Sequence, residues 1–178
     1  MIKKSLVALA AIVIVFAAVV ALQPSAFRIS RTATVNAPAP VLFAQVNDFH
    51  HWSGWSPWAK RDPAMKQRYK GAPAGVGAVY SWAGNSEVGE GRMSITESRP
   101  NELIRIKLEF LEPFAATNTA EFTFTLQGGQ TQVTWSMSGE NNFTAKAFNL
   151  IMNMDKLVGG DFEKGLQQLK SIAEASAK

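Results

Sequence analysis

The chain has 178 residues, no cysteine, and a formal charge of +4 that falls to +2 once Lys3 and Lys4, which precede an apolar run, are set aside. The missing cysteines exclude disulfides, thiolate nucleophiles and zinc–thiolate centres. So small a charge, scattered among acids as at Arg105, Lys107 and Glu109, excludes a surface that tracks a phosphate backbone, and no nucleic-acid partner is expected.

From Leu6 to Leu22 every residue is apolar. As a helix rising 1.5 Å per residue this run covers roughly 25 Å, close to the thickness of a bilayer core. It exceeds the apolar core of about 7 to 15 residues usual in a cleaved secretory signal, so an uncleaved anchor is favoured, with a secreted protein as the outcome if the leader is removed. Lys3 and Lys4 keep the N-terminus in the cytoplasm, which puts the remainder on the periplasmic or extracellular side. Gln23, Pro24 and Ser25 end the helix, because proline cannot donate to its ladder. The division is therefore an anchor or signal over residues 1–25 and one domain over residues 26–178, held within reach of membrane lipid.

In the domain, Phe27, Ile29, Ala33 and Val35 alternate with polar residues, the period of a half-buried strand, interrupted only by Arg31. Pro40 suits the first turn of a helix carrying Val41, Leu42, Val46 and Phe49. A tryptophan-rich segment follows, Trp52-Ser53-Gly54-Trp55-Ser56-Pro57-Trp58, and then a glycine-rich stretch with a short strand at residues 65–69. Residues 78–82, 89–98, 103–111, 116–126 and 132–138 read as successive strands divided by turn residues. Ile104, Ile106, Leu108 and Phe110 share one face, as do Phe122, Phe124 and Leu126, and Val133, Trp135 and Met137. Short connections make this an antiparallel meander with one apolar side.

From Phe143 to Ile172 apolar residues recur every three or four positions, which predicts one long amphipathic helix. Gly159 and Gly160 interrupt it and imply a bend or a close contact there. The helical stripe and the apolar sheet face each need a partner, so they cover one another. Between them a space is expected, lined by Tyr80, Trp82, Met93, Phe110, Phe124, Trp135, Phe148 and Met152.

Trp52, Trp55 and Trp58 either edge the mouth of that space or plug the end of the sheet; large amphipathic rings serve both. His50 and His51 are adjacent, so they do not converge on one ion, and a solvated or capping role at a helix end is expected. Asp62, Glu87, Glu90 and Arg92 are the nearest approach to a polar cluster, with Glu90 and Arg92 on one strand face as a surface pair. No nucleophile–base–orienter set, phosphate-cradling glycine motif or metal spacing is present, so catalytic, metal and cofactor sites are all expected to be none.

The order of first strand, short helical pair, meander and long C-terminal helix resembles the helix-grip fold of the START and birch-pollen-allergen superfamily, also called SRPBCC. The Trp52–Trp58 motif with Arg61-Asp62-Pro63 after it is similar to the polyketide cyclase/dehydrase branch, where a W-S-P-W-type segment follows the first helix. The resemblance implies an α+β fold with a curved antiparallel sheet of about six or seven strands wrapped around the long helix, two short helices after the first strand, and a cavity. On these residues the preferred function is enclosure of a hydrophobic or amphipathic small molecule or lipid beside the membrane. A cyclase- or dehydratase-type enzyme, and an envelope interaction protein whose interior is filled, are the alternatives.

Overall fold

A computed structural model describes residues 2–177 of the chain. Helix α1 (Ile2–Leu22) precedes strand β1 (Ala26–Val35), helix α2 (Ala39–Asn47), a single 3-10 turn at Phe49–His51 and the short helix α3 (Trp52–Trp55). Strands β2 (Lys66–Gly71), β3 (Ala78–Ala83), β4 (Glu90–Arg99), β5 (Leu103–Glu112), β6 (Ala116–Gln127) and β7 (Gln130–Glu140) come next, and helices α4 (Phe143–Ile151) and α5 (Met154–Ser176) close the chain.

All neighbouring strands are antiparallel, in the order β1-β7-β6-β5-β4-β3-β2. Six strands run as the meander that short turns dictate, and β1 returns to the outer edge of β7. Register shifts at Glu90/Gly91 and Ile95/Glu97 add bulges to β4, and such bulges bend a sheet. The result is the α+β helix-grip architecture, an open curved sheet gripping α5. Its inner face carries Ile29, Ile95, Ile104, Ile106, Phe122, Val133 and Trp135, all buried, against Phe162, Leu166, Leu169 and Ala173 of α5. The outer face is polar, with Arg105 held between Glu97 and Glu121.

Two sites explain how α5 comes so close to the sheet. At Gly165 a Cβ would lie 2.7 Å from the Trp135 ring and 3.1 Å from Pro57, so only glycine lets the helix cross there. At Gly159 a Cβ would collide with the guanidinium of Arg31. Arg31, the residue that breaks the alternation of β1, points inward and binds Asp155 at 3.0 Å and Glu163 at 2.7 Å, pinning the first turns of α5. Hydrogen bonds to Asp155 and then Glu163 raise the guanidinium pKa further, and the same contact holds the Asp155 carboxyl below its usual range.

One long helix over residues 143–172 is not what forms. The helix breaks at Met152–Asn153, and Asn153 turns its side chain to cap the N–H of Lys156 at 2.9 Å, starting α5 afresh. Gly159 lies inside α5 as a close contact with β1 rather than a bend, since helical geometry continues through it. The break sends α4 away from the concave face and toward α1, where Phe148 meets Phe114 of the β5–β6 turn at 6.0 Å.

Helix α1 is long and apolar enough to cross a membrane. Nearly all its side chains are exposed, with Val20 buried near its C-terminal end. Its apolar residues thus find almost no cover within the domain.

Candidate functional site

Between the concave sheet and α5 lies a cavity of about 330 Å³. That volume falls in the range of roughly 300–1,000 Å³ typical of small-molecule sites. Strand β3 contributes Tyr80 and Trp82, β4 Met93, β5 Leu108 and Phe110, β6 Ala120, β7 Trp135 and Met137, and α5 Val158 and Phe162. Residues from the tryptophan-rich segment and the loop after it, among them Trp52, Trp58, Arg61 and Met65, close the remaining side.

Each wall has a local cause. Trp82 lies over β4 because residue 91 is glycine; a Cβ there would strike the indole, whose N–H is held by the carbonyl of Val88 at 3.0 Å. Trp135 is stacked on Phe162 at 4.1 Å and 9°, which fixes the far wall to α5. Trp58 meets the same two rings edge-on, at 5.8 and 6.4 Å. Such edge-to-face contacts order aromatic walls beyond simple area burial.

Polar groups gather toward the loop side. Arg61 donates to Asp161 of α5 at 2.5 Å, a latch between the loop and the helix, while Ser53, Gln67 and Glu87 stand exposed nearby. Burial pushes the Tyr80 hydroxyl up to about 12, with the neighbouring Tyr69 adding to it, so this phenol stays a neutral donor. Among the described residues no group of three or more histidines, aspartates or glutamates is gathered for a metal. The arrangement can enclose an apolar body and offer it a few hydrogen bonds.

Of the residues the sequence singled out, Trp52, Trp58, Tyr80, Trp82, Met93, Phe110 and Trp135 come together on the wall. Trp55, Phe124, Phe148 and Met152 do not. Trp55 is 0% exposed, its N–H bound to the Gln45 carbonyl at 3.2 Å and its ring packed against Trp52, Phe122 and Trp135, so it belongs to the core and not to a mouth. Phe124 is buried four residues along β6 from the wall residue Ala120, edge-on to Phe43 of α2 at 5.8 Å. Phe148 and Met152 sit on the outside at 46% and 44% exposure, because the helix break turns α4 outward.

Other polar candidates have structural partners. Asp62 accepts from the backbone N–H groups of Ala64 at 2.9 Å and Asn85 at 2.7 Å, clasping two loops. Arg92 pairs with Glu109 across the β4–β5 ladder at 2.8 Å, not with Glu90. Lys107 and then Arg92 hold the Glu109 carboxyl below its usual range. His50 stacks on Tyr69 at 4.1 Å and contacts Asp48 at 2.7 Å. Burial pushes the Asp48 carboxyl up, but hydrogen bonds from the His50 backbone and ring outweigh it and leave the group lowered.

The sequence reading missed Phe162, Val158, Leu108, Ala120 and Met137 as wall residues. Their inward faces were legible from periodicity, but a period marks the buried face and does not distinguish packed core from cavity lining.

Residues 26–174 match the family model described as polyketide cyclase / dehydrase and lipid transport. No curated protein matches the chain in sequence. Among solved structures, a protein from Chromobacterium violaceum superposes with a TM-score of 0.59 at 15% identity, over 85% of this chain and 99% of that one. The Aha1 dimer from Colwellia psychrerythraea gives 0.59 at 13% identity, over 83% and 96%. The di-domain ARO/CYC protein StfQ from the steffimycin biosynthetic pathway gives 0.66 at 12% identity, over 86% of this chain and 52% of that one, so this chain spans about half its length. Likeness at such identity establishes a shared fold.

Proposed function

Because this chain belongs to the polyketide cyclase / dehydrase and lipid transport family, we propose that it is a binding domain which encloses one apolar or amphipathic molecule between its sheet and α5, beside a membrane that α1 enters. The observation that carries this reading is the cavity of about 330 Å³ with walls built mainly of aromatic, aliphatic and methionine side chains. Burial of apolar ligand surface contributes about 25 cal/mol per Å², so such walls supply affinity without a catalytic group. A cyclising enzyme would need a free acid or base at the reacting carbonyl. Of the two carboxylates on the lining, Asp161 is paired with Arg61 at 2.5 Å and Glu87 is exposed to solvent, which favours enclosure over reaction.

Membrane attachment is supported by α1 and by what surrounds its exit. Phe143, Phe148, Leu150, Ile151 and Met152 around α4, with Leu111 and Phe114 at the β5–β6 turn, are all exposed apolar residues. Helix α4 contacts α1, so this surface begins where the anchor ends. An apolar surface of this kind suits the boundary of headgroups and acyl chains. Lys3 and Lys4 at the other end of α1 orient the domain to the periplasmic or extracellular side.

Two measurements check the proposal. Native mass spectrometry of the full chain released from its membrane is expected to show a species heavier than the bare polypeptide by one small apolar molecule; the bare mass alone would contradict enclosure. Alkaline carbonate is expected to leave the full chain in the membrane pellet, and its appearance in the soluble fraction would remove the anchor.

A further inference from the structure

Of the two glycines that interrupt the stripe of α5, the packing accounts for one. Gly159 makes room for the Arg31 guanidinium, which a Cβ there would strike. Gly160 makes room for nothing: a Cβ there would meet no atom within 4 Å among the described residues, and the helix runs through it unbroken. Glycine inside a helix is less favourable than alanine, because it gives up more backbone freedom on folding. Position 160 is therefore a weak point that the packing does not require.

The weak point divides α5 into unequal parts. Beyond it Phe162, Leu166, Leu169 and Ala173 are buried against the sheet, which fixes that part. Before it lie residues 154–159, whose Met154 and Leu157 are exposed and whose half-buried Val158 is part of the cavity wall. Helix α4, immediately upstream, is exposed or half-buried throughout. What holds residues 154–159 in place is polar. Arg31 donates to the Asp155 carboxylate and backbone carbonyl, each at 3.0 Å, on one side of Gly160, and to Glu163 at 2.7 Å on the other. Both carboxylates are largely exposed, and ion pairs in contact with water are individually weak.

Segments with little buried apolar surface open locally at low free energy. No other wall is so lightly held. The strands are fixed by their ladders, and the tryptophan-rich side by the buried Phe49 and Trp52 and by the Arg61–Asp161 pair at 2.5 Å. We infer that α4 and residues 154–159 form a flap over the cavity, hinged at Gly160 and clasped by Arg31 across the hinge, and that a guest enters and leaves when this flap lifts. This rests on the enclosure reading above and adds the route by which that site is reached and controlled.

The test follows, by stopped-flow fluorescence, the rates at which N-phenyl-1-naphthylamine enters and leaves the full chain in detergent micelles. Partitioning into micelles is common to all variants and cancels between them. Gly160→Ala favours the unbent helix in the empty and the occupied protein alike. Association and dissociation are each expected to slow about fivefold, the factor separating alanine from glycine inside a helix, with affinity within about twofold and a raised unfolding midpoint. Arg31→Gln removes the clasp and is expected to speed both rates. Unchanged rates in a folded Gly160→Ala chain, or a lowered midpoint, would overturn the hinge. Rates unchanged or slowed in Arg31→Gln would overturn the clasp. If the probe does not bind the unaltered chain, the enclosure reading itself falls and the flap with it. Should either variant not fold, hydrogen exchange of the unaltered chain decides. Amides of residues 158–163 are expected to exchange faster than those of residues 166–173, and uniform protection along α5 would overturn the flap.

Discussion

Trp55→Ala is expected to lower the stability of the domain by about 3–5 kcal/mol, the range for removing a large aromatic side chain from a packed interior. The residue is fully enclosed, with ring neighbours Trp52 at 4.6 Å, Trp135 at 5.7 Å and Phe122 at 6.0 Å. Its N–H also ties α3 to α2 through Gln45. Losing the ring leaves a void between rigid aromatic plates that cannot close around it, and the Gln45 carbonyl loses its donor. Trp58→Ala provides the contrast, since Trp58 is half-buried and stands on the cavity wall. Its removal is expected to weaken an apolar probe several-fold with a much smaller loss of stability. Chemical denaturation followed by circular dichroism, alongside probe titration, separates the two. A stable Trp55→Ala chain that fails to bind would instead put Trp55 at the mouth.

That contrast shows what the residue pattern could and could not reveal. Alternation at Ile104 to Phe110 and at Val133 to Met137 gave both the meander and its inner face, because a strand with one buried side has no other stable register. Stripe spacing over residues 143–172 gave helix, yet the break fell at Asn153, a capping residue, and not at the glycine pair. Side-chain capping and helix breaking are decided over one turn, whereas periodicity averages across several. Arg31 was visible as an interruption of β1, but its partners Asp155 and Glu163 lie more than a hundred residues away and only the fold brings them together. The tryptophan-rich segment was legible as important and ambiguous in role, and the structure divides it, Trp55 going to the core and Trp52 and Trp58 to the wall.

Cavity and core share one sheet face, so the decisive distinction is volume, which no pattern of residue types encodes. Ala120 marks it. This alanine is 4% exposed, faces inward from β6 between Ile106 and Met137 on the adjacent strands, and lines the open space. An engineered cavity of about 150 Å³ is known to hold a benzene ring, so a phenyl group fits within the volume here without displacing a wall. Small-to-large changes in solid cores usually destabilise by about 1–3 kcal/mol through overpacking. Ala120→Phe therefore gives opposite results in a filled interior and in an empty one.

The central claim, an interior held open for a guest, is tested most directly by titrating N-phenyl-1-naphthylamine into the full chain and into Ala120→Phe while following thermal unfolding of both. The account predicts one binding site in the unaltered chain, an affinity lowered at least tenfold in Ala120→Phe, and an unfolding midpoint that is unchanged or raised. Undiminished binding in a fully folded Ala120→Phe chain, or a midpoint that drops as in an overpacked core, would contradict it.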